Sequence, residues 1–219
     1  MGDRRWRLPG HRQINRRRCP ARERSLDSSV ALVVTSLRYF AGKEYEGALG
    51  EGGVPTTYLK DLDLLRDVFA ECLRKVDPRD QIAISGADLG RRPCRSLSVE
   101  VIGTLLNDMR LLLRGETIWV KQRGSSGSCP WASFECHRHP VSRDLTKRVV
   151  VVSKGRFDRA LPARVRTRCK LPSVSSITRD DFGENTLDVL EIPAESATRV
   201  GHPAALPVEV PVRLIGLHT

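Results

Sequence analysis

Aromatic residues are scarce in this chain of 219 residues, with three Trp, three Tyr and five Phe making up 5%. A nucleic-acid reader that stacks bases on a sheet needs aromatics in pairs on adjacent strands, and none are paired here. Long apolar runs are missing as well. The longest near the N-terminus is Val30 to Val34, far short of the ~18–20 residues of a membrane-spanning helix. The N-terminus carries charge where a secretory signal would carry an apolar segment, so a non-secreted protein of the nucleus or cytoplasm is expected. Pro9, Gly10 and Pro20 interrupt any amphipathic targeting helix. Six cysteines (Cys19, Cys72, Cys94, Cys129, Cys136 and Cys169) are too few and too scattered for a disulfide framework, and reduced thiols are expected.

Enzyme signatures are absent too. There is no phosphate-binding P-loop, no G-x-S-x-G, no H-E-x-x-H and no dinucleotide fingerprint. No catalytic residue stands out, and the reading is of a protein that is not an enzyme. Asp180, Asp181 and Glu184 form an acidic group that reads as a solvated turn, being followed by Asn185 and interrupted by Gly183.

What the chain does have is positive charge, concentrated in two places. Arg4, Arg5, Arg7, Arg12, Arg16, Arg17, Arg18, Arg22 and Arg24 face only Asp3 and Glu23, giving +7 over residues 1–24. Ten cations against Asp144 and Asp158 give +8 over residues 143–170. The whole chain is only +11, so the remainder is net negative by four. Cations concentrated in this way suit a polyanion.

The first block, punctuated by Pro and Gly and without apolar periodicity, reads as a disordered arm over residues 1–28. Its Arg16-Arg17-Arg18 run fits a nuclear localisation signal or a nucleic-acid arm. In the second block Arg164, Arg166, Arg168 and Lys170 alternate with Val165, Thr167 and Cys169. On a strand, alternate side chains share a face, so the four cations would stand in a row able to grip successive phosphates, with Lys147 and Arg148 beside them. The competing reading is an edge strand guarded against aggregation.

Residues 29–219 are expected to form one compact α+β domain with two helices and a mostly antiparallel sheet. Val30–Val34 reads as a core strand. Leu59, Leu62, Leu65, Phe69, Cys72 and Leu73 recur at helical spacing, with Thr56 or Thr57 as cap, Asp61 and Asp63 near the start, and Arg74 and Lys75 near the end. A second helix is expected over residues 98–113. Strands are expected over 81–85, 117–122, 134–138, 148–153, 163–170, 186–192 and 208–215, the last an edge strand because of Pro207 and Pro211.

Cys129, Cys136, His137 and His139 place four zinc-ligand types within eleven residues. Adjacent Cys136 and His137 would project to opposite sides of a strand, and the C-x-x-C pairing is missing, so zinc is a weak possibility and no other cofactor is expected. The resulting expectation is a non-enzymatic, viral-type nucleic-acid-binding protein that coats, transports or condenses its partner, single-stranded RNA first, with oligomerisation open. The layout of basic arm and compact domain is an analogy with viral coat, matrix and movement proteins. The alternatives are a matrix-type protein bridging nucleoprotein to an anionic membrane, and a zinc-containing nucleic-acid enzyme.

Overall fold

The computed structural model describes residues 27–37, 57–88, 95–121, 145–157, 163–170, 175–201 and 205–218. Its centre is a five-stranded sheet of β1 (Val30–Ser36), β2 (Val76–Gly86), β3 (Leu112–Val120), β4 (Thr146–Ser153) and β5 (Val189–Glu191), in the order β1-β2-β4-β3-β5. β1 runs parallel to β2 and β3 parallel to β5, while β4 is antiparallel to both β2 and β3. The sheet is therefore mixed and not mostly antiparallel. The cause is the helix α1 (Tyr58–Lys75), which carries the chain back from the end of β1 to the start of β2, the crossover that parallel neighbours require.

α1 forms where the apolar spacing predicted. Thr57 is its N-cap, with Oγ1 accepting from the Lys60 N–H. Its last turn carries Arg74 and Lys75, and the Lys154 ammonium donates to the carbonyls of Leu73 (2.7 Å) and Val76 (2.9 Å), meeting the negative end of the helix dipole. The chain does not pause at Asp77-Pro78; Val76 is already the first residue of β2.

The second helix begins where expected but is shorter. α2 (Leu97–Gly103) relaxes into a π-helical turn over Thr104–Asp108, and Leu112 and Leu113 belong to β3. Along the rest of the chain lie α3 (Ala163–Arg168), α4 (Arg179–Asn185), α5 (Ala197–Val200) and α6 (Glu209–His218). Two expected strands are thus helices. Pro211 is no obstacle in α6, because it sits in the first turn, where a missing N–H costs nothing. The candidate strand at 134–138 lies outside the described residues, as does the arm up to residue 26.

Helices cover both faces of the sheet. On one, Leu65 and Phe69 of α1 and Leu97, Val101 and Leu105 of the second helical segment pack on Ile82, Ile84, Val150 and Val152. On the other, Val210 and Leu214 of α6 pack with Trp119 on Ala83, Val149 and Val151. Alternating residues of β2 and β4 serve opposite cores, so these central strands are apolar throughout, as strands covered on both sides must be.

Candidate active site

In an open sheet with helices on both faces, ligands bind beyond the carboxyl ends of the parallel strands. Here those ends are Ser36 and Leu37 of β1 and its exit, and Ser85, Gly86, Ala87 and Asp88 of β2 and its exit. The Leu37 N–H donates to the Ser85 carbonyl at 2.8 Å, keeping the two ends together. β3 also ends on this edge and β4 begins there, since Val120 pairs with Thr146 and Gly86 with Arg148. The connections 38–56, 89–94 and 122–144 all join strands or exits at this edge, so Cys129, Cys136, His137 and His139 belong to one of them; these four residues lie outside the described residues.

Asp88 is the best-anchored polar group at this edge. One carboxylate oxygen accepts from the Ser96 hydroxyl at 2.8 Å, and the other accepts from both the N–H and the hydroxyl of Ser98 at 2.9 Å. Ser96 is also the N-cap of α2, its Oγ accepting from the Val99 N–H. The carboxylate is thereby fixed in orientation by the first turn of a helix, which also favours its negative charge.

Beside this clasp lies Tyr58, the first residue of α1. The Arg95 guanidinium stands 4.8 Å from the centre of its ring. Burial pushes the Tyr58 hydroxyl up from its ordinary value, with further upward pushes from Glu100, Asp88 and Asp61 and an opposing pull from Arg95. Three carboxylates and one guanidinium therefore surround this ring, a net negative spot on a chain of +11.

A second concavity of about 230 Å³ opens on the α6 side, between β3, β4, α4 and α6. Val149, Val151 and Leu190 line it, and Gly115 leaves open space where a side chain would stand. Arg213 at its rim is fully engaged, donating to the carbonyls of Glu184, Asn185 and Leu187 at the end of α4, and burial lowers its pKa.

The expected cation row does not form. Arg164 and Arg168 lie on a short helix, where residues two apart point to opposite sides. Thr167 and Cys169, expected to face inward, are exposed, as are Arg164, Arg168 and Lys170; the side chain of Arg166 is outside the described residues. Lys147 is buried with its ammonium 5.1 Å from the Trp119 ring centre, and Arg148 is ion-paired to Glu116 at 2.7 Å. The nine arginines of residues 1–24 lie outside the described residues. Among the described residues no three His, Cys, Asp or Glu side chains converge as metal ligands, and no helix is long and apolar enough to cross a membrane.

Sequence reasoning missed Asp88, Ser96, Ser98, Tyr58 and Arg95. The signal available was a short apolar strand ending in Gly86-Ala87-Asp88, followed by Ser96 as a helix cap before an apolar helical stripe.

No protein-family model matches the chain, and no curated protein matches it significantly. Solved structures do. A protein of Thermus thermophilus described as a DNA modification methylase superimposes with a TM-score of 0.59 at 20% identity, over 90% of this chain and 69% of its own. The same protein complexed with S-adenosyl-L-methionine gives 0.57 at 18% identity, over 90% and 70%. The PvuII cytosine-N4-specific DNA methyltransferase gives 0.56 at 15% identity, over 90% and 66%. This chain thus spans about two thirds of the length of those chains. These likenesses overturn the expectation of a non-enzymatic, viral-type nucleic-acid-binding protein, because the fold is one that solved methylases carry. They also go against the expectation of no cofactor beyond zinc, since one of these structures is a complex with S-adenosyl-L-methionine. Nothing in them supports single-stranded RNA or an anionic membrane as partner. At such identities they establish the fold.

Proposed function

We propose that this chain carries the fold of a DNA-modifying methyltransferase and acts on DNA with S-adenosyl-L-methionine as methyl donor, at the carboxyl edge of β1 and β2. The observation that carries this reading is the superposition of 90% of the chain on three solved methylase structures. Fold alone does not fix chemistry, so the site has to agree with it. It does so in charge. The donor presents a sulfonium cation, and the negative spot formed by Asp88, Glu100 and Asp61 lies at the edge where ligands of such sheets bind.

When bound, the donor supplies a methyl group already activated by positive sulfur, so the protein has to orient and shield more than it has to activate. Asp88 is suited to orientation, because its three hydrogen bonds from Ser96 and Ser98 hold it still before any ligand arrives. A carboxylate has about four lone-pair sites, so the oxygen that accepts from Ser96 keeps one for a ligand donor. The partner is then duplex DNA, and the exposed cations Arg164, Arg168 and Lys170, with Arg4, Arg5, Arg7, Arg12, Arg16, Arg17, Arg18, Arg22 and Arg24, serve as contacts to its phosphates.

The test is transfer of a labelled methyl group from S-adenosyl-L-methionine to duplex DNA by the full chain, together with calorimetric binding of the donor alone. Asp88→Asn is expected to weaken donor binding by about tenfold, one charge-assisted contact, while leaving the fold intact. Absence of both donor binding and methyl transfer overturns the proposal.

A further inference from the structure

We infer that Arg95, seated on the Tyr58 ring beside the Asp88 clasp, is a phosphate-gripping residue that holds DNA at the carboxyl edge of the sheet; this inference rests on the methylase reading. Four features of the structure lead to it. Arg95 is exposed, whereas the other cations at this edge with a described partner are spent: Lys147 is buried over Trp119 and Arg148 is paired with Glu116. Its position is fixed at both ends. The guanidinium rests on Tyr58, and the next residue, Ser96, is tied to Asp88 and caps α2.

The third feature is what this arrangement leaves free. A ring face holds a guanidinium through its π cloud and uses none of its five N–H donors, so the fork remains available for paired bonds to a phosphate. Rotamer freedom, the main entropic cost of placing a long cation against a polyanion, has already been reduced by the stacking. Fourth, the carboxylates nearby are mostly unable to compete. Asp61 is fully buried, and both oxygens of Asp88 are engaged by serines. Glu100 is the exposed exception. The same constellation thus separates two charges of opposite sign: a fixed carboxylate for a cationic donor, and next to it a fixed cation for an anionic backbone.

The experiment is binding of the full chain to a duplex DNA labelled for fluorescence anisotropy, with salt varied from roughly 50 to 200 mM. Arg95→Ala should lower affinity about 5–10-fold and reduce the slope of log affinity against log salt by about 0.9, one phosphate contact. The loss should be the same on unrelated sequences, because a phosphate contact carries no base information. Arg95→Lys should restore the slope but only part of the affinity, since a point charge replaces the fork. Tyr58→Phe keeps the ring and should bind as the parent does, while Glu100→Gln should bind more tightly. Unfolding temperature serves as the control and should not move with Arg95→Ala, whose side chain is exposed. A chain that transfers methyl groups but shows the parental slope with Arg95→Ala keeps the methylase reading and overturns this inference. A chain that neither binds duplex DNA nor transfers methyl groups overturns both.

Discussion

Replacing Asp88 by alanine isolates the clasp that organises the edge of the sheet. The substitution removes one carboxylate that accepts from three donors: the Ser96 hydroxyl, the Ser98 hydroxyl and the Ser98 N–H. Ser98 is only 4% exposed, so water does not readily replace the lost acceptor. An orphaned buried donor costs about 1–3 kcal/mol, and Ser98 would hold two of them. The Ser96 hydroxyl can turn towards solvent and adds little. Asp88→Ala should therefore destabilise the fold by about 2–4 kcal/mol, a large part of the margin of an ordinary domain. Asp88→Asn offers a sharper comparison. Its amide oxygen can still accept from both Ser98 donors, while its NH2 faces a Ser96 hydroxyl able to rotate and accept, so the cost should be about 1 kcal/mol. Urea unfolding followed by far-UV circular dichroism reads both variants, and a cycle with Ser98→Ala should show strong coupling. If Asp88→Ala shifts stability by less than about 0.5 kcal/mol, the serines have other partners and the clasp does not hold the edge together.

Three further outcomes follow from contacts elsewhere in the fold. Lys154→Met should cost about 1–3 kcal/mol in urea unfolding, because it removes the ammonium that donates to the Leu73 and Val76 carbonyls at the end of α1; an unchanged midpoint would show that water satisfies those carbonyls equally well. Burial raises the Cys72 thiol above its ordinary value of 9.0, so the folded state keeps the proton longer than the unfolded chain does. The stabilisation is fully present below about pH 9 and is lost as pH rises through the folded value; Cys72→Ala should flatten the fall in urea midpoint between about pH 8 and 10, and an identical fall in both proteins would contradict the assignment. Trp119→Phe should cost about 1–3 kcal/mol in thermal unfolding, since it leaves the Ile192 carbonyl without the 2.7 Å bond from the indole N–H and opens a gap at a side chain only 1% exposed. A variant as stable as the parent would show that the carbonyl finds another donor.

How much of this is legible in the sequence depends on whether the deciding forces are local. α1 is readable because its apolar positions, its Thr57 cap and its terminal charges all point to one answer. The cores of β1, β2 and β4 are readable for the same reason, each being a short apolar run between polar segments. α3 passes for a strand because Arg-Val-Arg-Thr-Arg alternates as an exposed strand would, yet nothing apolar waits on the other side of it: Thr167 is exposed and Val165 only half-buried. Alternation signals a strand only when one of the two faces is buried. α6 carries both patterns. Val208, Val210 and Val212 alternate, but Val210 and Leu214, four apart, are the pair that the sheet buries.

Sheet order is beyond local reasoning. The parallel pairing of β1 with β2 follows from the helical crossover between them, whereas β4 enters between β2 and β3 although it follows both in the chain. The candidate site inherits that difficulty. Asp88, Ser96 and Ser98 are near neighbours in sequence, but each alone reads as a turn or cap residue. They become a site only because β1 and β2 end side by side, which brings Ser36, Leu37 and the Tyr58–Arg95 stack to the same edge. The downstream cations draw attention because they are numerous, whereas the cation that the fold positions is a single arginine whose distinguishing property is a ring beneath it. Charge counting finds the quantity of positive charge, and only the topology shows which positive charge is held in place.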